Sequence, residues 1–379
     1  MNAQRLLETF CDLVRISSPS KEEAEVAIWC AAALKEAGCT VRFDESAVTT
    51  GSDTGNLIAY LPPSPGVEET ATLYFSAHMD TVNPGRGIEP IIGEDGIIRS
   101  TGETVLGGDD KSGIAPIIEL VRTLAEGNRP HPRIGVLLST CEEIGLLGAA
   151  AMDNAQFHDE PCFVLDAGGA PGYVIIGSPF HHTYKATFTG KASHAGILPE
   201  EGISAIMLAG KAIVAMEQGR LDAFTTANVG TIVGGLADNI VPETCMISGE
   251  FRAMEPARRD YVQAEMEARM REAAATGGGS VEIIWKAEYE GFTISEDDPL
   301  VRFVLDTARE LGLPADAAFS GGGSDANFLN SRGLRPLVLG TGMTEVHSTR
   351  EALAIRDLED TCRLIEALAY NWQEQRMGL

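Results

Sequence analysis

Seven acidic and histidine residues, spread over most of the chain, sit in local sequence suited to metal chemistry. His78 and Asp80 flank Met79 just after the apolar run TLYFSA. Asp109 lies in LGGDDKSG. Glu142 and Glu143 follow RIGVLLST and Cys141. Asp166 closes PCFVLD, and His347 lies in TEVHST. Taken singly, each has a plain structural explanation. A lone His-x-Asp is a satisfied structural histidine, paired aspartates in a glycine-rich turn start a helix, two glutamates form a solvated loop, and an aspartate after a strand caps a helix. Their positions point elsewhere. His78, the Glu pair and Asp166 all follow candidate sheet strands, where an α/β protein keeps its chemistry. Carboxylates gathered there repel one another unless a cation sits among them. A two-metal hydrolytic centre resolves that repulsion, with imidazole and carboxylate as the ligand types zinc accepts.

The elements that would hold these residues alternate. Helices are expected over 4–15, 21–37 (with Ser20 and Glu23 as a capping box), 111–126, 298–311 and 349–373. VRFDES, NLIAYLP, TLYFSA, RIGVLLST, PCFVLD and RPLVLG read as strands, and PPSPGVEE as a surface loop. Continuous apolar strands between helices predict a mostly parallel sheet covered on both faces. The pattern changes near residue 176. HHTYKATFTGKAS alternates as an antiparallel strand does. The helix 201–218 carries Ile203, Ile206, Met207, Ala209, Ile213 and Val214 on its expected buried side. TTANVGTIVGG, TCMISGEFRAM, a charged helix over 257–275 and SVEIIWKAEY follow. That β-α-β-β-α-β order is a split βαβ arrangement. The expected architecture is therefore an α/β catalytic domain of residues 1–175 and 292–379, with an inserted α+β domain of residues 176–291.

Composition narrows the partners. With 55 acidic and 29 basic residues in 379, the formal charge is -26. A polyanion partner such as nucleic acid is excluded by that balance, and aromatic residues are only 6% of the chain. No stretch is long and apolar enough to span a bilayer, and the amphipathic N-terminus lacks the pattern of a signal peptide. Seven cysteines without a close CxxC pair fit core thiols in a reducing compartment, so a cytoplasmic protein is expected. Cys141, beside the Glu pair, has no obvious basic partner to make it a nucleophile. Lys111 is expected to form an ion pair or cap its helix. His131 and His158 read as solvated, and His181 and His182 as surface or hinge residues.

Beyond these residues, the chain resembles a known family. SAHMDTV, LGGDDKSG, CEEIGLLGA, FVLDAGG and the late His347 match the M20 zinc aminoacylase/carboxypeptidase family, in wording most similar to peptidase T and peptidase T-like proteins. GKASHAG, PEEGISAI, NVGTIVGG, NIVPE, GEFRAM and GGGSDANFL continue the match through the inserted domain and the returning half. The resemblance implies a dizinc exopeptidase fold with a lid. Asp109 would bridge two Zn2+ ions, replaceable by Mn2+ or Co2+, and its peptide bond to Asp110 would be cis. His78 and Asp166 would complete one site, Glu143 and His347 the other. Asp80 would hold the His78 imidazole, and Glu142 would be the general base, its pKa raised by Ile144 and Leu146. From the lid, His194 would stabilise an oxyanion, contributed across a homodimer in some relatives, and Arg252 would bind a substrate carboxylate. Asn228, Asn239, Gly322 and Gly323 would contact substrate. The implied activity is aminopeptidase or tripeptidase cleavage of short peptides. The alternatives are carboxypeptidase, dipeptidase or N-acyl-amino-acid deacylase activity. A non-catalytic scaffold would have eroded ligands or lost its base, and none is missing here.

Overall fold

The computed structural model describes residues 1–67, 72–155 and 157–377. Two glutamates of the expected PPSPGVEE loop, at 68 and 69, lie outside the described residues. The chain forms two compact units. One comprises Met1–Ile176, Ile294–Phe319 and Ser324–Leu379, and the other Gly177–Thr293 and Ser320–Gly323. The short glycine turn belongs with the second unit because it is tied there. Arg252 donates to the Gly321 carbonyl, the Ser178 hydroxyl donates to the Gly322 carbonyl, and the Tyr289 ring leaves no room for a side chain at Gly323.

The main sheet of the first unit runs Thr40–Phe43, Leu57–Leu61, Arg133–Ser139, Thr72–His78, Glu160–Ala167, Leu334–Gly340 and Val174–Ser178. Its four central strands are parallel, and antiparallel pairs flank them on both sides. The central strands are apolar runs because both faces are covered. Every residue of Thr72–His78 is buried, and the Phe75 and Phe163 rings pack with centroids 5.7 Å apart. Burying each such ring contributes about 1.5–3 kcal/mol. Parallel register aligns the strand ends. His78 pairs with Ser139, and Ser76 with Val164, so His78, the start of the Glu142 turn and Asp166 emerge along one edge.

Three local expectations change. Helix Ala24–Glu36 has no side-chain cap hydrogen bond. The Ser20 hydroxyl instead donates to Asp80 at 2.6 Å, while Glu23 accepts from the amides of Lys21 and Cys141. Tertiary partners for buried polar groups have displaced the local capping box. The C-terminal helix begins at Ile355, after a short strand, Ala352–Ala354, paired with Ile97–Arg99. His131 is buried rather than solvated, and burial holds its pKa below the usual imidazole value. All seven cysteines are free and buried.

The second unit is a five-stranded antiparallel sheet in the order Gly219–Asp222, Thr225–Gly234, Thr244–Ala253, Phe180–Thr189 and Ser280–Tyr289. Helices Ala205–Ala215 and Pro256–Thr276 share a core with Tyr184, Ala186, Phe188, Ile247 and Phe251. The first helix turns a different face inward from the one periodicity suggested. Ala205, Leu208, Ala209 and Ala212 are buried, while Ile206, Met207 and Val214 are exposed at 39%, 60% and 88%. The helix is apolar on two sides, and its small alanines permit the closer approach to the sheet.

Candidate metal centre

Three strand ends, a helix start and a late loop bring the five predicted ligands together. His78 Nε2 lies 2.9 Å from Asp109 Oδ1 and 3.7 Å from Asp166 Oδ1. His347 Nε2 lies 3.2 Å from Asp109 Oδ2 and 3.0 Å from Glu143 Oε2. The donor atoms form two clusters, His78–Asp109–Asp166 and Asp109–Glu143–His347, each within 4.8 Å. Asp109 belongs to both and turns one oxygen toward each histidine. It stands at the start of helix Gly108–Glu126, where residues 109 and 110 depart from helical geometry and their shared peptide bond is cis. His347 is reached by a short loop at positive φ, and its side chain is half exposed, whereas the Glu143 side chain is nearly buried. The centre is thus open on one side.

The electrostatics ask for cations. Burial, and then the negative charges of Asp109, Asp325 and Glu143 against the opposing pull of His78, hold the Asp166 carboxyl well above the usual range. His347 is pushed up to about 10 by its bonds to Asp109 and Glu143. Burial raises Glu142 well above 4.5, and Asp166 raises it further. Three carboxylates and two imidazoles converging on two positions, with one carboxylate shared, match the donor chemistry of a dinuclear divalent-metal site.

Around the predicted ligands lie further buried contacts. The His78 Nδ1 atom is nearest the main-chain carbonyl of Asp80, at 3.0 Å, with the carboxylate Oδ1 at 3.4 Å. The Asp80 carboxylate also accepts from the amides of Glu142, at 2.9 Å, and Glu143, at 3.2 Å. It therefore builds the Glu142–Glu143 turn as well as facing the imidazole. Glu142 is 9% exposed and is in neither donor cluster. Of its expected apolar flank, Leu146 is buried but Ile144 is 46% exposed. Lys111 neither pairs with a carboxylate nor caps its helix. Its buried ammonium donates to Ser18 Oγ, the Met79 carbonyl and Thr81 Oγ1, fastening the His78 loop. Cys141 accompanies Glu23, and its thiol is pushed up to about 12 by burial and that carboxylate, the wrong direction for a nucleophilic thiolate. Two buried carboxylates were not foreseen. Asp325 accepts from Ser139, and Glu351 accepts from three peptide amides beside Asp109. Asp325 lies within the GGGSDANFL segment, but neither contact could be read locally, because each partner lies more than 180 residues away.

Comparison with known proteins places this architecture. A peptidase dimerisation domain (M20_dimer) matches residues 177–278, Peptidase family M28 matches 56–175, and M42 glutamyl aminopeptidase matches 260–364. The crystal structure of aminopeptidase PepT from Bacillus cereus is 36% identical, covers 98% of each chain and superposes with a TM-score of 0.91. A tripeptidase from Staphylococcus aureus is 33% identical, covers 99% of this chain and 100% of its own, and superposes at 0.94. The chain belongs to the M20 peptidase family. In sequence, the uncharacterized protein YqjE of Bacillus subtilis is 38% identical over 97% of this chain and 98% of its own. The fold extends to a dinuclear metal-binding M20 peptidase of Bacillus subtilis, at a TM-score of 0.74 and 17% identity.

The remaining residues that the sequence of this M20 chain singled out lie in its second unit. His194 is exposed in a two-residue strand, Ser193–His194, paired with Ile240–Val241, and the Asn239 carbonyl accepts from Ala195. Asn228 and Asn239 are exposed. Arg252 is half-buried and already engaged, with Glu250 at 3.3 Å and the Gly321 carbonyl at 3.2 Å. Glu250 in turn lies 2.6 Å from His181.

Proposed function

We propose that this M20 enzyme is a dizinc exopeptidase that releases N-terminal residues from short peptides, in the manner of peptidase T. The observation that carries the proposal is Asp109, shared by two donor clusters beside the unliganded Glu142. The peptide substrate class is supported by the aminopeptidase and tripeptidase relatives. His78, Asp109 and Asp166 would hold one Zn2+, and Asp109, Glu143 and His347 the other, with Mn2+ or Co2+ as substitutes. When bound, such ions supply Lewis-acid activation of water and of the scissile carbonyl.

The protein's own groups would do the rest. Glu142 would take a proton from the attacking water and pass it to the leaving amine. The Asp80 carboxylate would keep the Glu142 turn in place through its two amide bonds. From the second unit, His194 would stabilise the oxyanion. Arg252 would bind a substrate carboxylate while sharing its charge with Glu250, and Asn228, Asn239, Gly322 and Gly323 would contact substrate. A homodimer through the second unit is supported by its exposed Met207, Val214, Val233 and Leu236. No helix among the described residues is long and apolar enough to cross a membrane, and seven free cysteines support a cytoplasmic location.

The test is a panel of di-, tri- and tetrapeptides beside N-acyl amino acids, with either end free or blocked. Turnover that requires a free amine is expected. Turnover that requires only a free carboxylate would replace the aminopeptidase assignment with carboxypeptidase or deacylase action.

A further inference from the structure

Glu351 lies four residues beyond His347, at the base of a closed loop. Thr344 and Ala352 exchange two backbone hydrogen bonds across that loop, and the Glu351 amide donates to the Ser348 carbonyl. The Glu351 residue is 1% exposed. Its Oε2 accepts from the amides of Leu106 at 2.7 Å and Gly107 at 2.8 Å, and its Oε1 accepts from the amide of Asp109 at 2.9 Å. Gly107 has a φ of +71°, which suits glycine, and a side chain on Gly108 would crowd Glu351 Oε1 at 3.1 Å. The loop holding Asp109 is thus shaped around this carboxylate.

The connection matters because of what each loop carries. The 106–109 loop presents the shared ligand, and the 344–352 loop presents His347, whose ring lies 3.2 Å from Asp109. A flexible junction between them would let donors of both clusters drift. Hydrogen bonds from peptide amides to a carboxylate are charge-assisted and directional, so Glu351 can fix both loops before any ion arrives.

We propose that Glu351 is the positioning residue of the dinuclear centre: it locks Asp109 against the His347 loop and thereby sets the affinity of both metal sites together. This rests on the metal-centre proposal above. Outer-shell partners of metal ligands typically change affinity or activity by about 10–100-fold when mutated. Glu351→Gln places an NH2 group opposite at least one of the three amide donors whichever way the amide is turned, so it should loosen the loop while nearly preserving volume.

The experiment is titration of chelator-stripped protein with cobalt(II), followed by visible absorption, for wild type, Glu351→Gln, Glu351→Asp and Glu119→Gln. Glu119 is the control: a fully buried carboxylate bonded to Arg5 and to the Asn2 amide. Wild type should take up two cobalt ions. Glu351→Gln should bind both about 10–100-fold more weakly with an altered cobalt spectrum. Glu119→Gln should lower the melting temperature and leave cobalt affinity unchanged. Wild-type affinity and spectrum in Glu351→Gln would overturn the proposal even if that variant melts earlier. If Glu351→Gln does not fold, Glu351→Asp decides, since it keeps the charge but is too short to reach all three donors, and unchanged cobalt binding there would likewise overturn it. Failure of wild type to bind cobalt would instead overturn the metal-centre proposal itself.

Discussion

Replacing Asp80 by Asn should cripple the enzyme through the Glu142–Glu143 turn. The carboxylate accepts from Glu142 N at 2.9 Å, Glu143 N at 3.2 Å and Ser20 Oγ at 2.6 Å, and faces His78 Nδ1 at 3.4 Å. In Asp80→Asn one oxygen position becomes an NH2 group. If the nitrogen takes the Oδ2 place, the Ser20 hydroxyl can accept from it, but the Glu143 amide loses its acceptor. In the other orientation the Glu142 amide is orphaned. Either way one charge-assisted bond disappears and a buried donor goes unpaired. Hydrogen bonds to charged groups contribute about 1.5–3 kcal/mol, and an orphaned donor costs about 1–3 kcal/mol. A net loss of about 2–3 kcal/mol in holding the turn corresponds to a roughly 30- to 150-fold drop at about 1.4 kcal/mol per decade. The assay is kcat/KM on a tripeptide with free ends, alongside metal content and melting temperature. Turnover within about threefold of wild type, with the protein folded, would refute the assigned role of this carboxylate.

Four further outcomes follow from the geometry. Glu142→Gln should keep its metal content and lose about 100- to 10,000-fold in kcat, the usual contribution of a general base; comparing bound metal with turnover checks this, and near-normal kcat would contradict it. Cys141→Ser should retain turnover within a few-fold, and Cys141 should resist iodoacetamide at neutral pH, because its thiol is held near 12. The Glu250 carboxyl is held down to about 2, from 4.5, chiefly by His181. A depressed folded pKa contributes stability above the unfolded value that is lost as pH falls through the folded one, so between about pH 4.5 and 2 wild type should lose more denaturation midpoint than Glu250→Gln; parallel curves would contradict it. Charging the outward face of the second unit's first helix with Met207→Asp and Val214→Asp should shift a dimer toward monomer in light scattering without unfolding it, and an unchanged mass would argue against that face.

Much of the candidate centre was legible because three of its five predicted ligands are tied to sheet geometry. His78 ends a buried parallel strand, Glu143 lies just beyond another, and Asp166 lies near the end of a third. Alternating elements also revealed the inserted domain. Contacts between distant segments were not legible. Ser20 reads as a helix cap until Asp80, sixty residues away, takes its hydroxyl. Lys111 reads as an ion pair or a helix cap until its ammonium is seen buried under the His78 loop. Glu351 reads as one more acid in an acidic chain, since peptide amides leave no mark on side-chain sequence. The Ala205–Ala215 helix failed for a different reason: with two apolar faces, periodicity alone could not choose, and packing selected the face of small residues.

The most direct test of the central claim is elemental analysis of the purified protein joined to chelation and reconstitution, with anomalous diffraction locating the ions. Two divalent metals per chain are predicted, one between His78, Asp109 and Asp166 and one between Asp109, Glu143 and His347, with peptide hydrolysis lost on chelation and restored by zinc, manganese or cobalt. Full hydrolytic activity in protein stripped of metal, or ions bound away from Asp109, would contradict the account.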